Sequence, residues 1–211
     1  MNAQAVPVSP FQALSPTTLA DVLARDRVMD MGMRPLWTGM PRLAGPAFPV
    51  RCPPGDNLML HAAIYRAPPG SVIVVDGGDV SHAVAGGNVC AVARRRGVAG
   101  FIVDGVMRDV AEARAMGFPL FARGIVPFPG GKDVLGALNE PVRCGGVDVS
   151  PGDVVVADEE GIVVVPVARL GAVLASAQAR AAKDEAETLE SWEKSHRARI
   201  EEILRRKGFV G

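Results

Sequence analysis

Cysteine is scarce in this sequence, and neither sign of charge is in excess. The 211 residues include three cysteines, Cys52, Cys90 and Cys144, and none lies in a CxxC or Cys–His spacing typical of zinc sites. The odd cysteine count and the lack of a signal peptide favour a reducing cytoplasm. Lys and Arg together number 23, as do Asp and Glu, whereas a nucleic-acid surface usually needs clustered cations. We therefore expect a cytoplasmic protein that does not bind nucleic acid.

Long apolar runs and nucleotide-binding motifs are absent as well. No apolar segment approaches the roughly 20 residues that span a bilayer, so we expect no membrane segment. The sequence contains no GxGxxG and no GxxxxGK[ST], which argues against NAD or a nucleoside triphosphate as a ligand. With 48% apolar and 22% charged residues, the composition is typical of one globular domain.

The central segment, residues 86–124, reads as helix, strand, turn, helix, strand. Two glycines open a predicted helix that runs to Arg96. A short apolar run bounded by glycines predicts a buried strand over 100–104. Gly105 is then expected to turn the chain into a second helix, which Gly117 ends. Residues 119–122 read as the next strand.

The rest of the chain carries weaker signals. Ser15 and Pro16 are typical of a helix start, and Asp56 is expected to cap a helix that extends to about Tyr65. An edge strand over 43–52 and a buried strand over 71–76 precede the central segment. Four further strands are predicted over 141–144, 147–149, 154–158 and 162–166, and helix from 168 onward. We divide the chain into an arm (1–14), one α/β domain (15–170) and a C-terminal helix (171–211) expected at a subunit interface.

Polar side chains follow the strand at 100–104. Asp104, Arg108 and Asp109 lie within six positions of one another, and polar residues at strand ends often form a functional site. An Asp at a helix start can also simply cap the helix, and the neighbouring Arg can be a surface ion pair. Spacing alone gives these two interpretations equal weight.

Two strings resemble a known family. The string DGVMRD (104–109), followed by FPLFARG (118–124), resembles the signature of the class II pyruvate aldolases, the 4-hydroxy-4-methyl-2-oxoglutarate / 4-carboxy-4-hydroxy-2-oxoadipate aldolases. VSPGDVVVADEEGIVVVP (149–166) is similar to a second family string. These aldolases are related to the regulator of ribonuclease activity A, whose branch typically lacks the complete Arg-Asp pair. The resemblance spans roughly residues 15–190 and implies a layered ββα sandwich of the swivelling phosphohistidine-domain type, in trimers or hexamers with sites at subunit boundaries.

The resemblance also implies roles for individual residues. Asp109 matches the ligand of a divalent metal, Mg²⁺ or Mn²⁺, and Arg108 matches the residue that contacts the keto oxygen and carboxylate of the substrate. The helix start, Gly87, Asn88, Val89 and Cys90, matches main-chain donors for the pyruvyl carboxylate, with the Val89 and Cys90 amides expected as the donors.

Two positions depart from the family or stay open. Asn88 stands where the family usually has an acidic residue that holds a metal-bound water, and Asp104 is the nearby carboxylate that we consider as its replacement. The family draws a further acidic residue from the C-terminal helix of a neighbouring subunit, for which we choose Glu185. Arg123 either positions substrate or, as we prefer, pairs with Asp104.

The expected function is therefore divalent-metal-dependent retro-aldol cleavage of a 4-hydroxy-2-oxo di- or tricarboxylic acid to pyruvate and a second oxo acid. Oxaloacetate decarboxylation is the expected side activity. The four lysines, Lys132, Lys183, Lys194 and Lys207, lie outside apolar strands, which disfavours a Schiff-base route. The alternatives are a non-catalytic regulator that binds a ribonuclease and a metal-dependent decarboxylase or lyase on another 2-oxo acid.

Overall fold

The computed structural model describes residues 8–209, and strands and helices alternate between residues 43 and 125. The helices are α1 (Ser9–Gln12), α2 (Pro16–Ala20), α3 (Leu58–Ala63), α4 (Gly87–Arg95), α5 (Val110–Ala115), α6 (Leu170–Ala186) and α7 (Leu189–Arg206). The strands are β1 (Arg34–Pro35), β2 (Leu43–Arg51), β3 (Val72–Asp76), β4 (Gly100–Met107), β5 (Leu120–Ile125), β6 (Val142–Cys144), β7 (Val147–Val149), β8 (Val154–Asp158) and β9 (Gly161–Val165). Short 3₁₀ turns lie at Arg25–Arg27 and Val167–Arg169.

Seven strands form one mixed sheet in the order β1-β5-β4-β3-β2-β8-β9, and β6 and β7 form a separate hairpin. Strands β2 to β5 are parallel to one another, whereas β1, β8 and β9 join antiparallel. β1 also contacts β9, so the sheet curls towards closure. The predicted mixed α/β class with a helical C-terminus is confirmed. Its assignment to the swivelling phosphohistidine-domain type stays a prediction.

The parallel strands are apolar on both faces because both faces are covered, as in other parallel sheets. Val75, Phe101 and Val103 pack against α3, α4 and α5 on one face. Val74 and Ile102 pack on the other face against the β6–β7 hairpin and β8–β9. Alternate residues of β8 and β9 point outward to a third cluster, which α1, α2 and α6 cover. This layering leaves the carboxyl ends of the parallel strands as the accessible edge.

β2 is a central strand, which corrects the prediction of an edge strand. It pairs with β8 over Leu43–Pro46 and with β3 over Ala47–Arg51. Each half of β2 therefore pairs with one neighbouring strand only. The opposite side of that half forms no ladder, so a residue without an N–H group is tolerated there. This change of partner explains how two prolines, Pro46 and Pro49, lie inside a sheet.

β4 does not turn at Gly105, as the sequence suggested, but continues to Met107. The glycine is needed for a close crossing instead: a β-carbon there would lie 3.2 Å from the carbonyl oxygen of Asp79 and 3.4 Å from Gly77 Cα. The register between β4 and β5 shifts between Val103 and Val106. The extended strand therefore delivers Arg108 three residues farther along the sheet edge than expected.

The two ends of the described chain also differ from expectation. Residues 8–14 of the predicted arm contain helix α1 and bury Phe11 and Leu14, while residues 1–7 lie outside the described residues. The predicted C-terminal helix is two helices: the first ends at Ala186, where Glu187 is extended, and Thr188 caps the second by accepting a hydrogen bond from the Ser191 amide. None of the α7 side chains is buried in this single chain. The expected subunit interface stays a prediction.

Among the helices within residues 8–209, none combines the length and the apolar character of a membrane-spanning segment.

We predict that Phe11→Ala destabilises the whole domain. Phe11 is fully buried against α2, α6 and β8–β9, and removal of a buried aromatic ring costs about 3–5 kcal/mol. The free energy of unfolding, measured by urea denaturation, should fall by that amount. Met31→Ala is the matched control, because Met31 is 93% exposed and its loss should change little. An unchanged midpoint in Phe11→Ala would show that residues 8–14 are not part of the folded core.

Candidate active site

The candidate site lies where β4 ends and α4 begins. The segment before α4 runs beside the end of β4: the Val84 amide donates to the Val106 carbonyl at 3.0 Å, and the Arg108 amide donates to the Ala85 carbonyl at 3.0 Å. Because parallel strands place their carboxyl ends at one edge of a sheet, this is the edge at which ligands usually bind. The pairing brings the first turn of α4 directly against Arg108 and Asp109.

Asp109 has an unusual backbone conformation for its position. It precedes α5 with φ 56° and ψ 36°, in the left-handed region that favours glycine. A non-glycine residue held there typically costs on the order of 1–3 kcal/mol, and such residues cluster at functional sites. Asp109 Oδ2 accepts a hydrogen bond from the Gly87 amide at 3.1 Å and lies 3.5 Å from Arg108 Nε. The two side chains thus lie side by side, both about 40% exposed.

Gly86 and Gly87 are required by the close approach of two carboxylates. A β-carbon on Gly86 would overlap Asp109 Oδ2, and one on Gly87 would overlap Glu112 Oε2. Any larger residue at either position would push these side chains away from the helix start. The lack of a β-carbon at Gly86 therefore lets Arg108 and Asp109 lie against the start of α4, and the lack of one at Gly87 leaves room for Glu112.

A cavity of about 90 Å³ opens at this point. Five of its twelve lining residues were predicted from the sequence as site residues, and seven were not. The lining residues are Asn57, His61, Ala83, Ala85, Gly86, Gly87, Asn88, Val89, Arg108, Asp109, Pro129 and Lys132. Arg108 and Asp109 therefore face a common cleft with the start of α4.

Two predicted site residues lie outside this cavity. The Cys90 amide donates to the Gly86 carbonyl at 3.1 Å, so it is the first amide of α4 with a partner in the helix and is not a free donor. Burial raises the pKa of the Cys90 thiol to about 12, so the thiol is inert. Glu185 is exposed on α6, and its assignment to the site of a neighbouring subunit stays a prediction.

Asp104 and Arg123 form an ion pair, as preferred from the sequence. Arg123 also pairs with Asp30 at 2.9 Å, and its pKa is raised by these two carboxylates. The second Asp104 oxygen accepts from the Gly145 amide at 2.7 Å. Asp104 is thus fully engaged away from the cavity and does not compensate for Asn88.

Sequence reasoning missed Asn57, His61 and Lys132. Asn57, the N-cap of α3, and His61 are four residues apart and therefore lie on one face of the helix. That spacing was the available signal. Lys132 belongs to a Pro- and Gly-rich loop after β5, and no local pattern predicts where such a loop lies.

The cavity combines two cations with one carboxylate. Arg108 and Lys132 carry positive charge and Asp109 negative charge. His61 stays neutral at pH 7, because burial first, and then the charges of Lys132 and Arg108, lower its pKa to about 4. The lining groups therefore favour an anionic ligand.

The donor set was also compared with the needs of a divalent cation. Within residues 8–209, no three His, Cys, Asp or Glu side chains cluster as metal ligands. Asp109 Oδ1 has no hydrogen-bond partner among these residues, and its side chain is 41% exposed. Mg²⁺ commonly binds one or two carboxylates and keeps several waters. Asp109 and the adjacent Asn88 amide fit such a water-rich site for a hard cation, and do not fit a closed structural site.

Comparison with known proteins identifies the class. The family model described as RraA-like, Aldolase/RraA, matches residues 16–164. The match covers more than half of the chain, which therefore belongs to the Aldolase/RraA family.

Several relatives carry an aldolase name. A protein of Halalkalibacterium halodurans is 38% identical over 180 residues, covers 85% of each chain, and carries the provisional name 4-hydroxy-4-methyl-2-oxoglutarate aldolase. A Burkholderia multivorans protein with the same provisional name is 36% identical over 139 residues, which cover 65% of this chain and 84% of that protein.

Similar solved structures carry a different description. Streptomyces coelicolor RraAS2, described as an unusual member of the RNase ES inhibitor RraA family, is 31% identical with a TM-score of 0.72, and the match covers 91% of this chain and 96% of that one. Thermus thermophilus RraA, described as an RNA-processing inhibitor, is 29% identical with a TM-score of 0.65, over 79% of this chain and 94% of that one.

We predict that His61 makes the folded state sensitive to acid. Its pKa of about 4 lies below the ordinary value of 6.5, so between these values the unfolded chain binds a proton that the folded chain does not. Stability contributed by neutral His61 is complete above pH 6.5 and is lost as the pH falls towards 4. His61→Gln should therefore lose less thermal stability than the wild type between pH 6.5 and 5. The exposed His196→Gln is the control, and an identical acid response in all three proteins would contradict the prediction.

Proposed function

We propose that this chain is a divalent-metal-dependent aldolase that cleaves a 4-hydroxy-2-oxo di- or tricarboxylic acid to pyruvate and a second oxo acid. We include oxaloacetate decarboxylation as a side activity, since it passes through the same pyruvate enolate. The observation that carries the proposal is the placement of Arg108 and Asp109 side by side against the first turn of α4. The aldolase names of the relatives support it.

The start of α4 supplies a binding site for the pyruvyl carboxylate. A helix leaves the N–H groups of its first turn without intrahelical partners, and the partial positive charge of a helix N-terminus favours an anion. The Gly87 amide is occupied by Asp109, and the Cys90 amide by Gly86. The Asn88 and Val89 amides, both at the cavity wall, are therefore our proposed donors.

Asp109 is the proposed metal ligand, and Asn88 would hydrogen-bond a water in the same shell. A divalent cation at this carboxylate supplies a Lewis acid for the keto group of the substrate. The Gly87 amide and Arg108 fix one oxygen of Asp109 and leave the other for the ion. This arrangement explains why a strained backbone is retained at Asp109.

Arg108 is proposed to stabilise charge on the keto oxygen. As a base removes the proton of the C4 hydroxyl group, the C3–C4 bond breaks, its electron pair forms the C2=C3 bond of pyruvate enolate, and negative charge grows on the C2 oxygen. The guanidinium presents two N–H groups in a fixed plane, which suits oxygens on adjacent carbons. Donors that meet developing charge are usually the largest single catalytic contribution.

Asn88 can hydrogen-bond but cannot act as a base. The acidic group that completes the site would therefore come from elsewhere, and we propose Glu185 of the partner subunit in a trimer or hexamer. Both the oligomer and this contribution rest on the family resemblance.

The second candidate function is a regulator that binds a ribonuclease. It is favoured by the likeness to RraA structures described as inhibitors. The two functions differ in one observable, because a regulator needs no metal and releases no pyruvate. The purified protein should be supplied with 4-hydroxy-4-methyl-2-oxoglutarate and with oxaloacetate, each with Mg²⁺ or with chelator. Lack of pyruvate release from both substrates in the presence of metal would favour the regulator.

We predict that Asp109→Ala abolishes metal-stimulated cleavage. The variant removes the one lining carboxylate, so Mg²⁺ should no longer increase pyruvate release, and Mn²⁺ binding measured by electron paramagnetic resonance should disappear. Asp148→Ala is the matched control, since Asp148 is an exposed residue paired with Arg143 on the β6–β7 hairpin. Retained Mg²⁺ activation in Asp109→Ala would refute the assignment of the ligand.

We predict that Arg108→Ala lowers turnover more than metal affinity. Loss of one donor to developing charge typically reduces kcat by about 10²–10³, whereas the carboxylate that would hold the ion remains. Steady-state kinetics with Mn²⁺ titration separate the two quantities. Arg143→Ala, on the exposed hairpin, is the control. A loss of metal affinity as large as the loss of kcat would show that Arg108 acts through Asp109 alone.

A further inference from the structure

The loop after β5 is fixed to the start of α3 by a buried carboxylate. Asp56 is 5% exposed and accepts hydrogen bonds from the Leu58 amide at 2.8 Å, the Asp133 amide at 2.6 Å and the Val134 amide at 3.1 Å. Burial alone would raise the pKa of Asp56, but these backbone donors hold it below its usual range. Asp56 thus stays charged and joins two segments that are far apart in sequence.

Asn57 and Gly55 fix the same loop from its other end. Asn57 Nδ2 donates to the Gly130 carbonyl at 3.1 Å, and the Gly131 amide donates to the Gly55 carbonyl at 2.7 Å. Residue 132 is therefore enclosed on both sides by anchored residues. Its backbone cannot move away from the cavity without breaking these bonds, although the side chain is exposed to solvent.

Asn57 also leaves an unused acceptor at this wall. It is 3% exposed, and the two carbonyls that face one of its terminal atoms identify that atom as nitrogen. Its Oδ1 is then the one buried side-chain nitrogen or oxygen within residues 8–209 that has no hydrogen-bond partner. Such groups are rare in native proteins, and this one is an acceptor, so the group that completes it must be a donor such as an ammonium group or a water.

The two cations of the cavity come from different elements. Arg108 follows β4 and lies with the α4 amides, which we have assigned to the pyruvyl end of the substrate. Lys132 comes from the anchored loop and shares its wall with Asn57 and His61, which is neutral. A 4-hydroxy-2-oxo diacid carries a second carboxylate several atoms from the first. One cation is thus available for each end of such a molecule.

We propose that Lys132 binds the distal carboxylate of the substrate, with the neutral His61 ring as a second donor and Asn57 Oδ1 as an acceptor for the Lys132 ammonium group. The proposal rests on the proposed aldolase function and specifies which residue selects a di- or tricarboxylic acid. The distal carboxylate leaves with the second oxo acid when the C3–C4 bond breaks. Lys132 therefore contacts the departing product, and the pyruvate half of the reaction does not need it.

The test compares two reactions in the full-length protein. Cleavage of 4-hydroxy-4-methyl-2-oxoglutarate uses both ends of the site, whereas exchange of the pyruvate methyl protons in D₂O, followed by proton NMR, uses only the pyruvyl end. Lys132→Ala should raise KM for the diacid by about 10- to 100-fold, as expected for a lost charge-assisted hydrogen bond, and change the exchange rate by less than about threefold. Lys132→Arg should restore much of the affinity for the diacid.

The matched control is Lys207→Ala, an exposed lysine at the end of α7, which should alter neither reaction. Equal losses in cleavage and exchange would overturn the subsite and show that Lys132 merely supports the fold. An unchanged KM for the diacid would also overturn it. If the wild-type protein catalyses neither reaction with metal supplied, the proposed aldolase function itself fails, and the subsite fails with it.

Discussion

The close approach of α4 to the end of β4 is the constraint on which the candidate site depends. The Gly87 amide bonds Asp109 directly, and a β-carbon on Gly86 would displace the Asp109 carboxylate from this position. One contact therefore turns the Asp109 carboxylate, holds the left-handed backbone in place and leaves the next two amides of α4 open. The spacing between this helix and this strand therefore positions three parts of the proposed mechanism: the metal ligand, the cation beside it and the amides that would bind the carboxylate.

Local patterns predict most elements of this fold but not their neighbours. The buried strands, the helix that Gly86 and Gly87 open and the Ser15 cap are encoded within short windows, and the structure confirms them. The position of β2 depends on where β8 arrives from more than a hundred residues away. The role of Gly105 depends on a crossing loop, and a glycine needed for close approach has the same sequence signal as a glycine needed for a turn.

The candidate site divides in the same way. Arg108, Asp109, Asn88 and Val89 are close together because a strand and the two helices beside it are consecutive in the chain, so a motif can predict them. Lys132 reaches the cavity because its loop is bound to residues 55–57, in part by the Asp56 carboxylate, which binds amides 77 and 78 residues away. No periodicity or spacing encodes such a bond. Cys90 was misassigned for a smaller reason, because one residue along a helix separates a free amide from a bonded one.

The left-handed conformation of Asp109 has a consequence for how this family can diversify. Asn adopts that region about as readily as Asp, so exchanging a carboxylate oxygen for an amide group leaves the turn intact while it removes the charge. The carboxylate charge at this position can therefore be lost without loss of the backbone turn. A descendant that lost the proposed metal ligand in this way would keep the same backbone turn and the same scaffold.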